Sequence, residues 1–590
     1  MFAEEVELEL AARRFSGADY AVFALMFVVC TVIGVYYGFF ARSFTAEDYL
    51  MGGRNMGLFP ISLSLIATFL SSTALIGVPT DVYLHGMQYL YSVCGIVLMA
   101  VVLTYAYLPV LHHLKLTSTY EYLELRFSRT ARLFGSLLFC IKMIVSIPIY
   151  LYAPALAFSQ VSGASIHLVA LFMCIVCVFY TSLGGLKAVV WTDVIQAVTM
   201  FAAVILIVVK GTIDNGGLSV VWQRNARSGR IEPPIFDPDP TVTYTFWSSS
   251  VGMFCIMLQT HAFNQSMMQR YLSLRHLQAA NRAVWMFVAG AVTFLVLSFY
   301  CGLLMYATYH DCDPLTTQLV TAKDQVLLLQ VMRTLGDFPG LPGIFVAGVF
   351  SAALSSLSSA LNSTAAVVLE DFYKTFFAKP LSQRQTSLLL KTTVLVTGLV
   401  GVSLLFVVEK LGSVLKMALS VGSMPEGPIL AVFTLGLFFP WVNSKGILAG
   451  GTAGLTFIAW LTSGAYLATT RGQMTKPLSV DGCTYNFSTT SSPLPDDRDV
   501  FILYRISYMW YVPLGCLVTM LVALAVSFLS GGNDLHNVKH QLLSPLVRGF
   551  LPVKATTAGR NCLVGYKPVE LQTVSRSAPA STYHCTTNFQ

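Results

Sequence analysis

Long apolar runs, each closed by polar residues, glycine or proline, recur along this chain from Tyr20 to near Ser530. A bilayer core about 30 Å thick needs about 20 apolar residues of α-helix per crossing. On that measure the pattern predicts about thirteen spans. They start near Tyr20, Gly57, Leu90, Ala131, Ser165, Ala188, Tyr244, Arg282, Gly343, Ser387, Gly412, Gly446 and Trp510. The expectation is an all-α integral membrane protein, with a short N-terminus over residues 1–19, a membrane domain over 20–530 and a tail over 531–590.

An odd number of spans puts the two termini on opposite sides. Short loops on one face hold Lys115, Arg126 and Arg129, then Lys187, then Arg270 and Arg275, then Lys374, Lys379 and Arg384. The positive-inside rule makes that face cytoplasmic. The tail, with Lys539, Arg548, Lys554, Arg560 and Lys567, falls on the same side, which leaves the N-terminus outside. Three long loops, 210–243, 309–342 and 468–509, are then external. The last of them contains Asn486-Phe487-Ser488, a glycosylation sequon. Cys312 and Cys483 lie in two of these loops and can pair if both face outside. The tail, rich in Ser, Thr and Pro and without strong periodicity, is expected to be largely disordered. Residues 1–14 are acidic where a cleavable signal would be basic and then apolar, so the first span is expected to be retained.

Two spans break the apolar pattern. From Ile61 the second reads ISLSLIATFLSSTALIGVPT, with Ser62, Ser64, Thr68, Ser71, Ser72 and Thr73 in one crossing. The ninth reads VAGVFSAALSSLSSALNSTAA. Such hydroxyls serve either close helix packing or a site where unwound backbone offers carbonyls to a cation. Ser355 and Ser356 are adjacent, so they point about 100° apart and need not both face one site. Intramembrane carboxylates add a third signal. Asp193 faces a polar cavity, a partner or an ion, or else forms a helix-end ion pair, and Gln196 lies one turn further on. Glu426 follows Pro425 and marks either a proton or cation site or a hydrated kink. His261, within QTHAFNQSMMQR, is either a packed core residue or a substrate or proton contact.

Composition agrees with a lipid solvent: 55% of the 590 residues are hydrophobic and 11% charged, about half the usual charge. The net charge of +7 is spread over loops and tail, so nucleic acid is not an expected partner. The twelve cysteines sit mostly in apolar runs, among them the pair Cys174 and Cys177, where they act as small hydrophobes, so a cysteine metal site is not expected. The absence of HExxH, GxSxG and any Cys/His cluster argues against an enzyme.

The strings LTSTYEYLELRFSR, GGLKAVVWTDVIQ, FDPDPTVTYTFW, NQSMMQRYL, DCDPL and ALNSTAAVVLEDFYK resemble the sodium/solute symporter family. They are most similar to its branch of monocarboxylate, multivitamin and iodide cotransporters, over roughly residues 17–530. The resemblance implies a leucine-transporter-like fold with an inverted five-helix repeat, about residues 57–209 and 244–439. It implies a sodium site built from the carbonyls of Ala67, Leu70 and Ala352 and the hydroxyls of Ser355 and Ser356. A second sodium or coupling site would use Thr68, Asp193, Gln196 and Gln265. The substrate would meet Thr73, Ala74, His261, Leu419 and Ser420. Ala74 stands where iodide carriers have Gln, and the Pro425-Glu426-Gly427-Pro428 run places an acid where relatives keep small residues. The function so implied is sodium-driven import of a small organic anion across the plasma membrane, with sodium as coupling ion and no cofactor. An iodide-type or sugar-type cotransporter, or a solute sensor that does not transport, are the alternatives.

Overall fold

The computed structural model describes residues 15–41, 45–320, 322–377, 380–410, 422–468, 475–483, 487, 500–533 and 538–549. Among these the ordered elements are all helical. That is the expected answer to lipid, because a helix pairs its own backbone groups where no water can. Among the described residues nine helices are long and apolar enough to cross a membrane, or ten counting one bent pair. The expected start at Ala188 falls three residues after a break at Gly185, the one at Tyr244 precedes two short helices, and the one at Gly412 lies outside the described residues. Ala188 lies inside the 49-residue helix Ile166–Asp214. The region after Tyr244 is divided between Met253–Ala262 and Gln265–Leu272. Residues 411–421 lie outside the described set, and the helix after them is Glu426–Phe438.

Helix Ile166–Asp214 would extend about 74 Å at 1.5 Å per residue, more than twice the bilayer core. It does not run straight. Gly185 adopts φ 56° and ψ −148° inside it, a backbone state that a side chain resists. A Cβ there would also press on the Tyr49 carbonyl, 2.5 Å away. The turn at Gly185 thus allows one continuous segment to supply two crossings.

Hydroxyl-rich helix Leu341–Val367 occupies the centre: 94% of its apolar window is buried, against 28% for the window of Gly17–Phe40. It packs most extensively on Ile166–Asp214, and also on Leu58–Phe69 and Arg129–Ser162. Asp19 caps it, its Oδ1 accepting the backbone N–H groups of Gly340 at 3.0 Å and Gly343 at 2.9 Å. At the periphery, Gly446, Gly450 and Gly454 recur every four residues on Ser444–Leu467 and let it approach Tyr511–Leu529 backbone to backbone.

The two ends of the bundle differ in chemistry. At one end, which we call the basic end, Arg54 donates to the Lys115 carbonyl at 2.7 Å and His112 meets the Leu274 carbonyl at 3.1 Å. Arg132 donates there to Asp371 at 2.7 Å. Lys115, Arg129, Arg275, Lys374 and Arg384 are exposed. Arg126 and Arg270, however, are buried and are not loop charges. Arg126 instead caps the end of Glu426–Phe438, donating to the carbonyls of Gly436, Phe439 and Pro440. Residues 538–549 fold back onto this end, where Ser544 donates to the Ala106 carbonyl and Tyr122 to that of Leu542. Of the tail, residues 534–537 and 550–590 lie outside the described residues. At the opposite end the three long loops meet: Arg230 donates to the Tyr83 carbonyl, Lys476 to that of Leu84, and Cys312 is bonded to Cys483.

Candidate functional site

The second expected span is broken where its hydroxyls are densest. Helix Leu58–Phe69 stops at Leu70, whose φ −77° and ψ 83° are not helical, and Ser72–His85 restarts with Ser71 as N-cap. Ser71 Oγ accepts the Ala74 N–H at 3.3 Å. The two halves are bent by 52°. An α-helix leaves its last four carbonyls without intrahelical partners, so the break gathers backbone oxygens, those of Ala67 and Thr68 among them, in mid-membrane.

Helix Leu341–Val367 lays its hydroxyls against this break. Ser356 Oγ lies 3.5 Å from the Thr68 carbonyl and donates to the Ala352 carbonyl at 3.1 Å. Ser355 Oγ is 3.3 Å from Thr68 Oγ1, and Ser359 Oγ is 3.1 Å from it. Although Ser355 and Ser356 point apart, both reach the same broken segment, because it bends around the face of their helix. Neutral oxygens of this kind, carbonyl and hydroxyl, are the donor set of a hard monovalent cation. Ser358 does not join them; its hydroxyl bonds back to the Ser355 carbonyl at 3.1 Å.

Beside this cluster lies an ion pair. Asp193 Oδ2 accepts from Ser64 Oγ at 2.5 Å, from Arg270 Nη2 at 2.9 Å and from Thr68 Oγ1 at 3.5 Å. Arg270 also donates through Nε to Ser64 at 2.6 Å and through Nη2 to Ser359 at 2.5 Å. The Asp193 and Arg270 side chains are 0% and 1% exposed. Of the open readings for Asp193, the structure selects a partner, and places it in the interior instead of at a helix end. Arg270 is the residue that the sequence reading missed. It entered the count of loop cations, although its position one turn beyond the polar Asn264-Gln265-Ser266 step was a signal.

The remaining expected residues separate. Gln265 opens helix Gln265–Leu272, but its amide is engaged elsewhere: Oε1 accepts both the N–H and the hydroxyl of Thr119, and Nε2 donates to the Thr117 carbonyl. Gln196 lies one turn from Asp193 and donates to Cys30 Sγ at 3.6 Å. His261 is fully buried, its Nδ1 2.9 Å from the Tyr271 hydroxyl and its ring 4.2 Å from that of Phe287. The ring packs near Phe69 as well, while its buried Nε2 has no hydrogen-bond partner among the described residues. Thr73 and Ala74 fall in the first turn of Ser72–His85. Leu419, Ser420 and Asn486 lie outside the described residues. Glu426 is the first residue of its helix and accepts from Lys142 Nζ at 2.6 Å, so the proline break beside it is occupied by an ion pair.

The sodium:solute symporter family model matches residues 49–454. Human sodium-coupled monocarboxylate transporter 1 is 37% identical over 534 residues, covering 87% of this chain and 87% of its own. The sodium-dependent multivitamin transporter of Oryctolagus cuniculus is 37% identical over 538 residues, covering 89% and 84%. Among solved structures, the substrate-bound outward-open state of a Na+-coupled sialic acid symporter superposes with a TM-score of 0.73. At 23% identity it covers 88% of this chain and 99% of that one, a likeness of fold. With its broken helices set against a hydroxyl-rich partner, and with relatives of this kind matched over nearly their full length, the chain belongs to the sodium:solute symporter family and is a sodium-coupled solute transporter of the membrane, not an enzyme.

Proposed function

We propose that this chain imports a small organic anion, a monocarboxylate or a carboxylate vitamin such as biotin or pantothenate, across the plasma membrane together with sodium. The observation that carries the reading is the oxygen cluster where Ser355 and Ser356 meet the break after Phe69. The relatives named for monocarboxylate and multivitamin transport direct the substrate class. Sodium would bind the carbonyls of Ala67, Leu70 and Ala352 and the hydroxyls of Ser355 and Ser356. A second cation near Thr68 and Asp193 would have to share the carboxylate with Arg270. The substrate would lie by Thr73, Ala74 and His261, with Leu419 and Ser420 completing its pocket.

Sodium bound at the break favours the outward-open form and completes the anion pocket, and rocking of the helices then exposes both to the other side. Each sodium falling through the membrane potential supplies about 2.3 kcal/mol per 100 mV. The exposed cations of the basic end favour its placement in the cytoplasm, which puts the N-terminus, the three long loops and a glycosylated Asn486 outside. The test is tracer uptake of lactate, butyrate, nicotinate, biotin, pantothenate and iodide in cells expressing the chain, with sodium and with choline in its place. Sodium-dependent uptake of one or more carboxylates is expected. Uptake of iodide alone, or of no tracer, would overturn the reading.

A further inference from the structure

A second intramembrane ion pair stands apart from the Asp193 cluster. Lys142 Nζ donates to Glu426 Oε1 at 2.6 Å, and the two side chains are 10% and 12% exposed. Burying such a pair costs several kcal/mol in desolvation per ion before any attraction is counted, and an ionisable residue within a membrane span marks function by default.

Its surroundings say what kind. Lys142 belongs to the buried stripe Gly135, Phe139, Lys142 and Ser146 of helix Arg129–Ser162, whereas Ile141 and Ile144 are on the exposed side. Lys142 therefore faces the bundle and not the lipid. Glu426 opens helix Glu426–Phe438, and two turns further on Phe433 stacks on Phe263, with centroids 4.3 Å apart, at the break between Met253–Ala262 and Gln265–Leu272. Tyr120 bridges Phe139 and Phe433 at 5.7 Å and 6.1 Å. These rings form a floor on the basic-end side of the ion pair. Helix Arg129–Ser162 packs against Ser72–His85, and Glu426–Phe438 against Met253–Ala262. The two charges are thus set above an aromatic layer, each on a helix that packs against one half of a broken span.

We propose that Lys142 is the cationic anchor for the carboxylate of the transported anion, and that Glu426 is its tethered counter-ion in the substrate-free protein. The proposal rests on the carboxylate reading above. Substrate replaces one carboxylate by another on the same ammonium, so the electrostatic change at Lys142 is small. Glu426, once released, keeps the positive end of its own helix beside it. The tethered carboxylate competes with substrate, as any occupied minor state lowers apparent affinity.

The two partners should therefore respond in opposite directions, which a merely structural pair would not do. KM for a carboxylate carried by the wild type is measured in Lys142→Gln, Glu426→Gln and the exchanged double variant Lys142→Glu/Glu426→Lys, each normalised to protein at the surface. Lys142→Gln should raise KM tenfold or more with the sodium half-saturation unaltered. Glu426→Gln should lower KM several-fold, and the exchanged variant should not recover. A rise in both single variants, an unaltered KM in Lys142→Gln, or restoration by the exchange would overturn the proposal. If Lys142→Gln does not reach the surface, Glu426→Gln decides alone, and a raised KM there sinks it. A wild type that carries no carboxylate overturns the functional reading and this inference with it. A wild type that does, with an unaltered Lys142→Gln, overturns only the inference.

Discussion

Asp193 and Arg270 hold opposite charges 2.9 Å apart, where neither reaches solvent. Removing one partner strands the other as an uncompensated buried charge, a loss of about 3–5 kcal/mol. Asp193→Asn and Arg270→Gln should each reduce protein at the surface and its thermal midpoint in detergent, and the double variant should lose less than the two combined. Strict additivity would show that the pair is uncoupled. Arg270→Lys should not substitute, because Ser64, Ser359 and Asp193 are met by the guanidinium's separate donors. Ser355→Ala with Ser356→Ala removes two hydroxyls from the break while keeping a good helix former. Each neutral hydrogen bond lost costs only about 1 kcal/mol, so the variant should reach the surface yet need far more sodium for uptake. Ser358→Ala, whose hydroxyl bonds back to the Ser355 carbonyl and does not join the cluster at the break, is the mild control. A normal sodium response in the Ser355/Ser356 variant would remove the break from the ion site.

Packing at the level of helices gives a different test. Gly446, Gly450 and Gly454 face Ala523, Thr519 and Gly515 so closely that a Cβ at any of them overlaps atoms of the neighbouring helix. Overpacking a close helix contact costs about 1–3 kcal/mol, occasionally more. Gly454→Leu should therefore lose mature surface protein, whereas Thr452→Leu and Thr456→Leu, on the exposed face of the same helix, should be tolerated. Equal expression of all three would show that the glycine stripe is not a packing surface. The spans themselves were legible as apolar runs, and so were several of their interruptions. Pro425 and the dense hydroxyls of 62–73 announced two breaks. The boundary near Lys187 was also legible, and the structure sets it at Gly185 as a sharp bend between two crossings.

For the molecule as a whole, the Cys312–Cys483 bond joins two loops 171 residues apart in sequence at the end opposite the exposed basic residues. Cross-links of this kind contribute about 2–5 kcal/mol. Cys312→Ser with Cys483→Ser should lower surface expression and the thermal midpoint. The same bond tests orientation: brief treatment of intact cells with a membrane-impermeant reductant should expose both thiols to an impermeant maleimide. Labelling that appears only after permeabilisation would invert the proposed topology. The apolar runs by themselves determined a multi-spanning helical protein, because continuous apolar runs of about 20 residues match a helical crossing and not the shorter, alternating strands of a barrel. The ordered motifs determined the family, and the hydroxyl-rich segments pointed to the oxygen cluster. Only tertiary structure decided which charges are partners. Arg270 read as a loop cation, and Glu426 as a proton or cation site or a hydrated kink, because a buried charge is identified by what packs against it. Asp193 lies 77 residues from its arginine and Glu426 lies 284 from its lysine, so local pattern holds no trace of either pair, and only the fold that closes those separations makes the charges affordable within a membrane.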